Sequence, residues 1–318
     1  MRITGTGSEL PKRVVTNDEL MTFLDTSDEW ITSRTGISKR RVLSDESLDK
    51  LAASAAAKAL ENAGIGANEL DLMICSNVMG PYITPGLSCI VQGLIGAHCP
   101  CFDINAACAG FIYALDMAKA YLDSNKAANI LIVSAEAVSH MTDWNDRATC
   151  VLFGDGAGAV VVSKGEGLRA VRLGTTSNTE VLYQKQITGN SPFELNQVKD
   201  PSLVMNGQEV YKFAVSVSAE DVKAVLEQSG IQAQDVKYFL LHQANHRILE
   251  AVRSRLHQGK EKFPVNLDRL GNTSSASIPI LLDELNRQGK LSDGDILAMS
   301  AFGAGLVNGA CVIQWNFK

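Results

Sequence analysis

Three groups in this chain have the types and surroundings that chemistry needs. Cys108 lies in Asn105-Ala106-Ala107-Cys108-Ala109-Gly110, a run of small residues leading into a helix that carries Ile112, Leu115 and Leu122 on one face. A thiol at a helix start meets the positive end of the backbone dipole and several unpaired N–H groups, and both favour the nucleophilic thiolate. Small neighbours leave room for a substrate. The commoner fate of a cysteine is inert burial, so the surroundings have to choose. His242 ends the apolar run Tyr238-Phe239-Leu240-Leu241. Loops at such strand ends carry functional groups into crevices; the alternative is a core histidine bonded to a backbone carbonyl. Gly271-Asn272-Thr273-Ser274-Ser275-Ala276-Ser277 is small and polar before the expected helix Ile278–Arg287, a pattern that also serves as a plain turn and cap. Ser300-Ala301-Phe302-Gly303-Ala304-Gly305-Leu306 follows a second apolar run. It reads either as a flexible turn or as a source of backbone N–H groups for an oxyanion.

The chain that must position these groups has 318 residues, 46% of them hydrophobic. That is enough for one large domain or two fused halves. A net charge of −6 argues against nucleic acid as a partner through bulk charge. The first 30 residues lack an apolar export signal, and no apolar run is long enough to span a membrane. Seven cysteines in such a chain predict free thiols in a reducing cytoplasm.

Two segments repeat. Leu60-Glu61-Asn62-Ala63-Gly64-Ile65, followed by the apolar run Leu72-Met73-Ile74-Cys75, is matched by Leu226-Glu227-Gln228-Ser229-Gly230-Ile231, followed by Tyr238–Leu241. Gly230 lies 166 residues after Gly64, and Ile296 in Asp295–Ala301 lies the same 166 after Ile130 in Asn129–Ala135. Gly158-Ala159-Val160-Val161-Val162 is echoed by Gly309-Ala310-Cys311-Val312-Ile313. Two coincidences at one offset, in one order, indicate related halves, 1–165 and 166–318. Each half predicts a helix (about Asp45–Ala63 and about Ser218–Ser229) closed by a glycine, then a buried strand, a second helix, a second buried strand and a Gly-Ala-led strand. Thr175–Asp200 reads as a loop-rich excursion. Helices alternating with buried strands give a layered α/β architecture. The same offset carries Cys108 onto position 274, so the Asn272–Ser275 turn holds in the second half roughly the place of Cys108 in the first. Two halves related by a pseudo-dyad would bring Cys108, His242 and Asn272 into one pocket.

At this point the chain resembles the β-ketoacyl–acyl-carrier-protein synthase III family of thiolase-fold condensing enzymes. The resemblance rests on Asp103–Phe111, His242-Gln243-Ala244-Asn245, Gly271–Ser277, Asp28-Glu29-Trp30-Ile31 with Arg34-Thr35-Gly36-Ile37, and Phe153-Gly154-Asp155-Gly156-Ala157-Gly158-Ala159. These motifs run in family order over nearly the whole chain. The resemblance implies two duplicated halves in a five-layered αβαβα arrangement, a homodimer, and a decarboxylating Claisen condensation of an acyl-CoA with malonyl-acyl carrier protein that initiates fatty acid biosynthesis. Cys108 would take the acyl group as a thioester. His242 and Asn272 would donate hydrogen bonds to the enolate left by decarboxylation, with His242 neutral. The N–H groups of Cys108 and Ala304 would hold the second oxyanion, with Phe302 and Gly305 lining the site. Asn272 favours a malonyl extender, because relatives that condense without decarboxylation need a second cysteine to move a proton.

The resemblance further implies that Trp30 and Arg147 sandwich the CoA adenine, that Thr26 and Arg34 lie near that nucleotide, and that Asn245 contacts pantetheine. Lys212 and Arg247 would meet the acidic carrier protein, and Thr84 would stand in the acyl pocket, where its small size favours a starter longer than acetyl. No cofactor or metal is implied; acyl-CoA is a substrate. The chain departs from the family pattern at Ala304, where a glycine is usual, and at Asn308, where a tryptophan is usual. The closest alternative is a synthase of secondary metabolism, polyketide or quinolone type, on the same fold. A non-catalytic partner subunit would be expected to lose Cys108 or His242, and papain-like proteases place an aromatic residue beside their cysteine, unlike Ala109-Gly110. Gly5-Thr6-Gly7 lacks the third glycine of a dinucleotide loop. His242 and His246 lack a third ligand for zinc. Cys99 and Cys101 read as two buried thiols.

Overall fold

The computed structural model describes residues 1–317 apart from positions 190, 191, 194, 197 and 200, so the end of the expected excursion at Asp200 lies outside the described residues. Two sheets carry the molecule. The first takes five strands from the first half: β1 (Arg2–Glu9), β2 (Leu72–Ser76), β3 (Cys101–Ile104), β4 (Asn129–Ala137) and β5 (Asp155–Ser163), in the order β1-β5-β4-β2-β3. β2 runs parallel to β3 and β4, while β5 is antiparallel to β4 and β1. The second sheet takes four strands: β6 (Leu168–Asn178), β7 (Val236–Leu241), β8 (Ile296–Gly303) and β9 (Gly305–Gln314), in the order β7-β8-β9-β6. Parallel β7-β8 matches β2-β4, and antiparallel β8-β9 matches β4-β5. The continuous apolar runs are buried on both faces, as their lack of alternation predicts: all five residues of β2 and the last eight of β4 are buried.

Helices α1 (Asp28–Thr35), α2 (Leu48–Ala63), α3 (Leu87–Ile95), α4 (Gly110–Asp123), α5 (Gly207–Ser229), α6 (His246–Leu256) and α7 (Ser277–Arg287) fill the remaining layers. α4 and α7 lie between the two sheets, α2 covers the outer face of the first and α5 the outer face of the second. The result is the five-layered αβαβα arrangement, with an apolar core under each outer helical layer and a third spanning the central helices and the inner faces of both sheets. Two helix boundaries differ from expectation. α2 begins at Leu48, after the N-cap position Ser47. α5 begins eleven residues before Ser218, where the Asn206 side chain accepts the Glu209 N–H. Thr175–Asn178 belongs to β6 rather than to a loop, and Leu182–Tyr183 pairs with Val204–Met205.

The Gly5-Thr6-Gly7 run is a strand feature, not a ligand loop. A Cβ on Gly5 or Gly7 would stand 2.2 Å from Ala59 O or Ala55 O, so α2 lies directly on the β1 backbone only because those two positions have no side chain. The alanine-rich face of α2 (Ala52, Ala55, Ala56, Ala59) completes this close approach.

Candidate active site

Cys108 sits on a single 3₁₀ turn, Ala107–Ala109, that joins β3 to α4. Asn105 Oδ1 accepts the Ala107 N–H at 3.1 Å, and Ala107 takes φ 44°, in the left-handed region. The second half builds the same turn before α7: Asn272 Oδ1 accepts the Ser274 N–H at 2.9 Å, and Ser274 takes φ 51°. The structural match is therefore Asn105 to Asn272 and Ala107 to Ser274, one residue longer than the offset found elsewhere. Cys108 corresponds to Ser275, not to Ser274. The two turns meet, and Ser274 Oγ lies 3.3 Å from Cys108 Sγ.

The small residues are required by this meeting. A Cβ on Gly110 would fall 1.9 Å from Ser76 Oγ, and one on Gly303 would fall 2.6 Å from the Cys108 nitrogen. β2 and β8 thus end directly against the turn that carries the thiol. Gly303→Ala is expected to lower stability by about 1–3 kcal/mol through overpacking, read as a lower thermal midpoint, together with loss of Cys108 reactivity.

Asn272 is held by backbone on both sides: its N–H donates to Leu152 O at 2.8 Å and its carbonyl accepts the Gly154 N–H at 3.0 Å. With Oδ1 committed to Ser274, its amide N–H groups are the part left for the cavity it lines. The Phe153-Gly154-Asp155 motif forms the segment that holds Asn272 in place. Gly154 has no room for a side chain, since a Cβ would stand 2.1 Å from Leu270 O, and Asp155 fixes the segment by accepting N–H groups of Leu43 and Ser139.

His242 follows β7 directly and is buried. Its Nδ1 lies 2.8 Å from Ser277 Oγ, which also accepts the Gln243 N–H. The Ser277 hydroxyl hydrogen is then free to donate to Nδ1, which puts the ring proton on Nε2. Burial pushes the imidazole down to about 3, so it is a neutral hydrogen-bond donor at any ordinary pH. The stability consequence has a definite sign. Below the ordinary pKa of 6.5 the unfolded chain gains a proton that the folded chain refuses, so stability falls as pH drops from 6.5 toward about 3. A His242→Gln variant is expected to show a flatter fall in urea midpoint between pH 7 and pH 5. Phe302 stands edge-on to the imidazole, with ring centroids 5.3 Å apart.

Cys108, His242 and Asn272 all line one cavity of about 680 Å³. Its wall also includes Val138, Met141, Leu182, Leu203 and Met205, so an acyl chain would meet hydrocarbon. Ala304 and Phe302 line it as expected, but Gly303 lines it in place of Gly305. Gly305 carries the φ of 136° that an L side chain avoids. The conformational demand therefore falls one residue after Ala304, which is why alanine is tolerated there. Asn308 is also accommodated: its amide donates to Asp221 Oδ2 at 2.5 Å, and Asp221 pairs with Arg172 at 3.0 Å, linking β9, α5 and β6.

The Cys108 thiol is not held as a ready thiolate. The residue is half-buried, and burial pushes the thiol up to about 12, with the nearby Glu136 carboxylate acting in the same direction and the Ser274 hydrogen bond opposing it. Thr84 does not line the cavity of its own chain. It is exposed on the segment before α3, which is tied to β3 by Asp103 accepting the Leu87 and Ser88 N–H groups. Cys101 also differs: it is half-buried, 3.8 Å from the exposed Cys89 sulfur.

At the cavity mouth, the guanidinium carbons of Arg34 and Arg147 lie 5.0 and 5.3 Å from the Trp30 ring centroid. Arg147 also bonds the Asp25 carbonyl. Thr26 lies off the cavity, and its buried Oγ1 has no hydrogen-bond partner among the described residues. Asn245 lines the cavity but is partly committed, capping α6 through the Arg247 N–H and donating to Arg34 O. Arg247 lines the mouth and donates to Ser33 O. Lys212 is exposed and paired with Glu209 at 2.7 Å, next to Tyr211 on the cavity wall. Sequence reasoning gave no role to Ser274, Ser277 or Glu136. Glu136 is a buried carboxylate on β4, pushed up to about 7 by burial, and its only sequence signal was a single acid at the end of an apolar strand.

The fold and the thiol, imidazole and carboxamide on one cavity define a condensing enzyme of the thiolase class. Residues 102–178 match the family model described as 3-Oxoacyl-[acyl-carrier-protein (ACP)] synthase III, and residues 226–315 match the model of its C-terminal part. A Clostridium acetobutylicum protein named beta-ketoacyl-[acyl-carrier-protein] synthase III is 42% identical over 321 residues, covering 99% of both chains. The crystal structure of 3-oxoacyl-[acyl-carrier-protein] synthase III from Aquifex aeolicus VF5 superposes with a TM-score of 0.93 at 42% identity, covering 99% of each chain. The priming β-ketosynthase of the R1128 polyketide pathway gives 0.93 at 34% identity, covering 99% of this chain and 96% of its own. This chain belongs to the β-ketoacyl-acyl-carrier-protein synthase III family and is an acyltransferase.

Proposed function

We propose that the protein joins an acyl-CoA starter to malonyl-acyl carrier protein, releasing carbon dioxide and CoA and giving a 3-oxoacyl-acyl carrier protein as the first condensation of fatty acid synthesis. The observation that carries this is the convergence of Cys108, His242 and Asn272 on one apolar cavity, with the imidazole held neutral. The Cys108 sulfur attacks the starter thioester, and the acyl group stays on the enzyme as CoA leaves. Malonyl thioester then loses carbon dioxide. The enolate oxygen that forms takes hydrogen bonds from His242 Nε2–H and Asn272 Nδ2–H, and the carbanion attacks the acyl-Cys108 carbonyl. The Cys108 and Ala304 N–H groups face the oxyanion of that second step. We read these groups as sufficient without cofactor or metal.

Arg34, Arg147 and Arg247 form a basic rim suited to the CoA phosphates and to an acidic carrier protein, and Lys212 extends it. In direct contact with Trp30, Arg147 must swing away to admit the adenine. Trp30→Ala is expected to raise KM for acyl-CoA about tenfold with little change in kcat, checked by steady-state kinetics at saturating malonyl-acyl carrier protein. We place the enzyme in the cytoplasm; no helix among the described residues is long and apolar enough to cross a membrane. We also propose a homodimer formed along the outer edge of β3, beside the exposed Tyr82, Ile83 and Leu94. That seam would include Thr84, so a second copy is needed for Thr84 to approach a cavity.

The test is turnover across an acyl-CoA length series with malonyl-acyl carrier protein, with label followed onto Cys108. Absence of acyl transfer for every starter would end the reading. Likeness to the R1128 priming enzyme keeps a specialised-metabolite role as the second reading; a starter preference unlike that of membrane fatty acids would favour it.

A further inference from the structure

Among the described residues, Glu136 is the one buried carboxylate within reach of the nucleophile that the condensation leaves without a task. It sits near the end of β4, 1% exposed. Its Oε1 accepts the hydroxyls of Ser274 at 3.1 Å and Ser275 at 2.5 Å and the Ser275 N–H at 3.4 Å; its Oε2 accepts the Val78 N–H at 3.0 Å. Ser274 Oγ is at the same time 3.3 Å from Cys108 Sγ. One hydroxyl therefore touches both the reacting sulfur and the carboxylate.

A serine hydroxyl has a single hydrogen. It can point at the Cys108 sulfur or at Glu136, and in the second arrangement the oxygen lone pairs are free to accept the Cys108 S–H. The thiol needs such an acceptor, since burial holds it near 12. His242 is a poor one: its Nδ1 is engaged by Ser277, and its basicity is that of a group near 3. A carboxylate near 7 is far better matched to the task.

We propose that Glu136 and Ser274 form a proton relay serving Cys108, an assignment that rests on the acyl-transfer reading above. As Cys108 sulfur bonds to the acyl carbon, its proton moves to Ser274 Oγ while the Ser274 hydroxyl proton moves to the Glu136 carboxylate. When the carbon–sulfur bond to CoA breaks, the same proton returns through Ser274 to the departing sulfur, leaving acyl-Cys108, CoA thiol and an ionised Glu136. In the condensation, Cys108 leaves as thiolate and one proton is consumed overall, and Glu136 recharged from solvent supplies it by the same path. The groups bonded to Glu136 (Ser274, Ser275 and the Val78 amide) are uncharged, the titratable group it faces is the Cys108 thiol, and His242 on the same cavity is neutral. Ser274 touches the reacting atom. Glu136 acts through it.

The experiment is single-turnover transfer of a labelled acyl group from acyl-CoA to Cys108, measured from pH 5.5 to 9. In the wild type, acylation should rise through about pH 7 as Glu136 ionises. Glu136→Gln should lose that rise and slow acylation at pH 8 about 100-fold. Ser274→Gly, which suits the left-handed backbone there and leaves the Glu136 bonds to Ser275 and Val78 in place, should do the same. The double variant should be no slower than either single one, as for groups that act as a unit. Alkylation of Cys108 by iodoacetamide should lose its dependence near pH 7 in parallel, which a merely structural role for Glu136 would not produce. If Glu136→Gln fails to fold, Ser274→Gly decides alone. A variant with the wild-type pH profile and rate, or multiplicative losses in the double variant, overturns the relay. Failure of the wild type to acylate at all refutes the acyl-transfer reading instead.

Discussion

Cys108→Ala is expected to abolish acyl transfer from CoA, a loss of at least about 10⁴-fold in turnover, because no other thiol among the described residues lines the cavity. The remaining thiols are elsewhere: Cys75, Cys99, Cys150 and Cys311 are buried, and Cys89 and Cys101 lie toward the β3 edge. The measurement is mass analysis of the intact protein after incubation with an acyl-CoA. Wild type should gain one acyl group and the variant none. An adduct retained on Cys108→Ala would mean that a different residue carries the chain. The variant should fold, since alanine already occupies positions 106, 107 and 109 around it, so loss of labelling would not reflect a collapsed site.

The second large effect belongs to the donor pair. Asn272→Ala and His242→Ala should each lower malonyl decarboxylation about 10²–10³-fold, the usual consequence of removing one preorganised donor from a developing oxyanion. Acylation of Cys108 from acyl-CoA should change far less, because the enolate does not exist in that step. The split between carbon dioxide release and label transfer is the decisive readout. Equal losses in both would assign these residues to positioning the thiol. The pH dependence has a clear sign as well. With the imidazole near 3, protonation of His242 contributes no acid limb around pH 6.5. A decarboxylation rate that halves near that pH in the wild type but not in His242→Gln would contradict the neutral-donor role.

Much of the site was legible because its residues lie in turns whose chemistry is local. Small residues before a helix, a histidine closing an apolar run and an asparagine in a glycine-led turn each announce an element boundary, and the repeat supplied the relation between them. What escaped depended on partners remote in sequence. Glu136 reads as an ordinary strand residue until Ser274 and Ser275, 138 and 139 positions away, arrive beside it. The thiol's elevation follows from burial, which no local pattern states. Thr84 carries no local signal of its surroundings: the tie from Asp103 to the start of α3 sets it on the exposed segment away from its own chain's cavity. The first eleven residues of α5 go beyond the expected helix because Val215, Ser216 and Val217 are modest helix formers, and packing on the second sheet sustains what propensity does not. The five layers followed from the alternation of helices and double-buried strands, whereas the longer spacing between the paired turns became visible only through φ values and side-chain caps.

The paired asparagine turns have a consequence for how such a site arises. A half-length ancestor that paired two copies across this contact would set two identical loops face to face, each confined to whatever served both. Joining the copies in one polypeptide releases that constraint: one loop keeps the sulfur, and the other turns its asparagine amide toward the incoming extender. Chemical asymmetry is thus written onto a symmetric frame, and exchanging Asn105 for other residues should disturb the nucleophile's loop while leaving its twin's geometry in place.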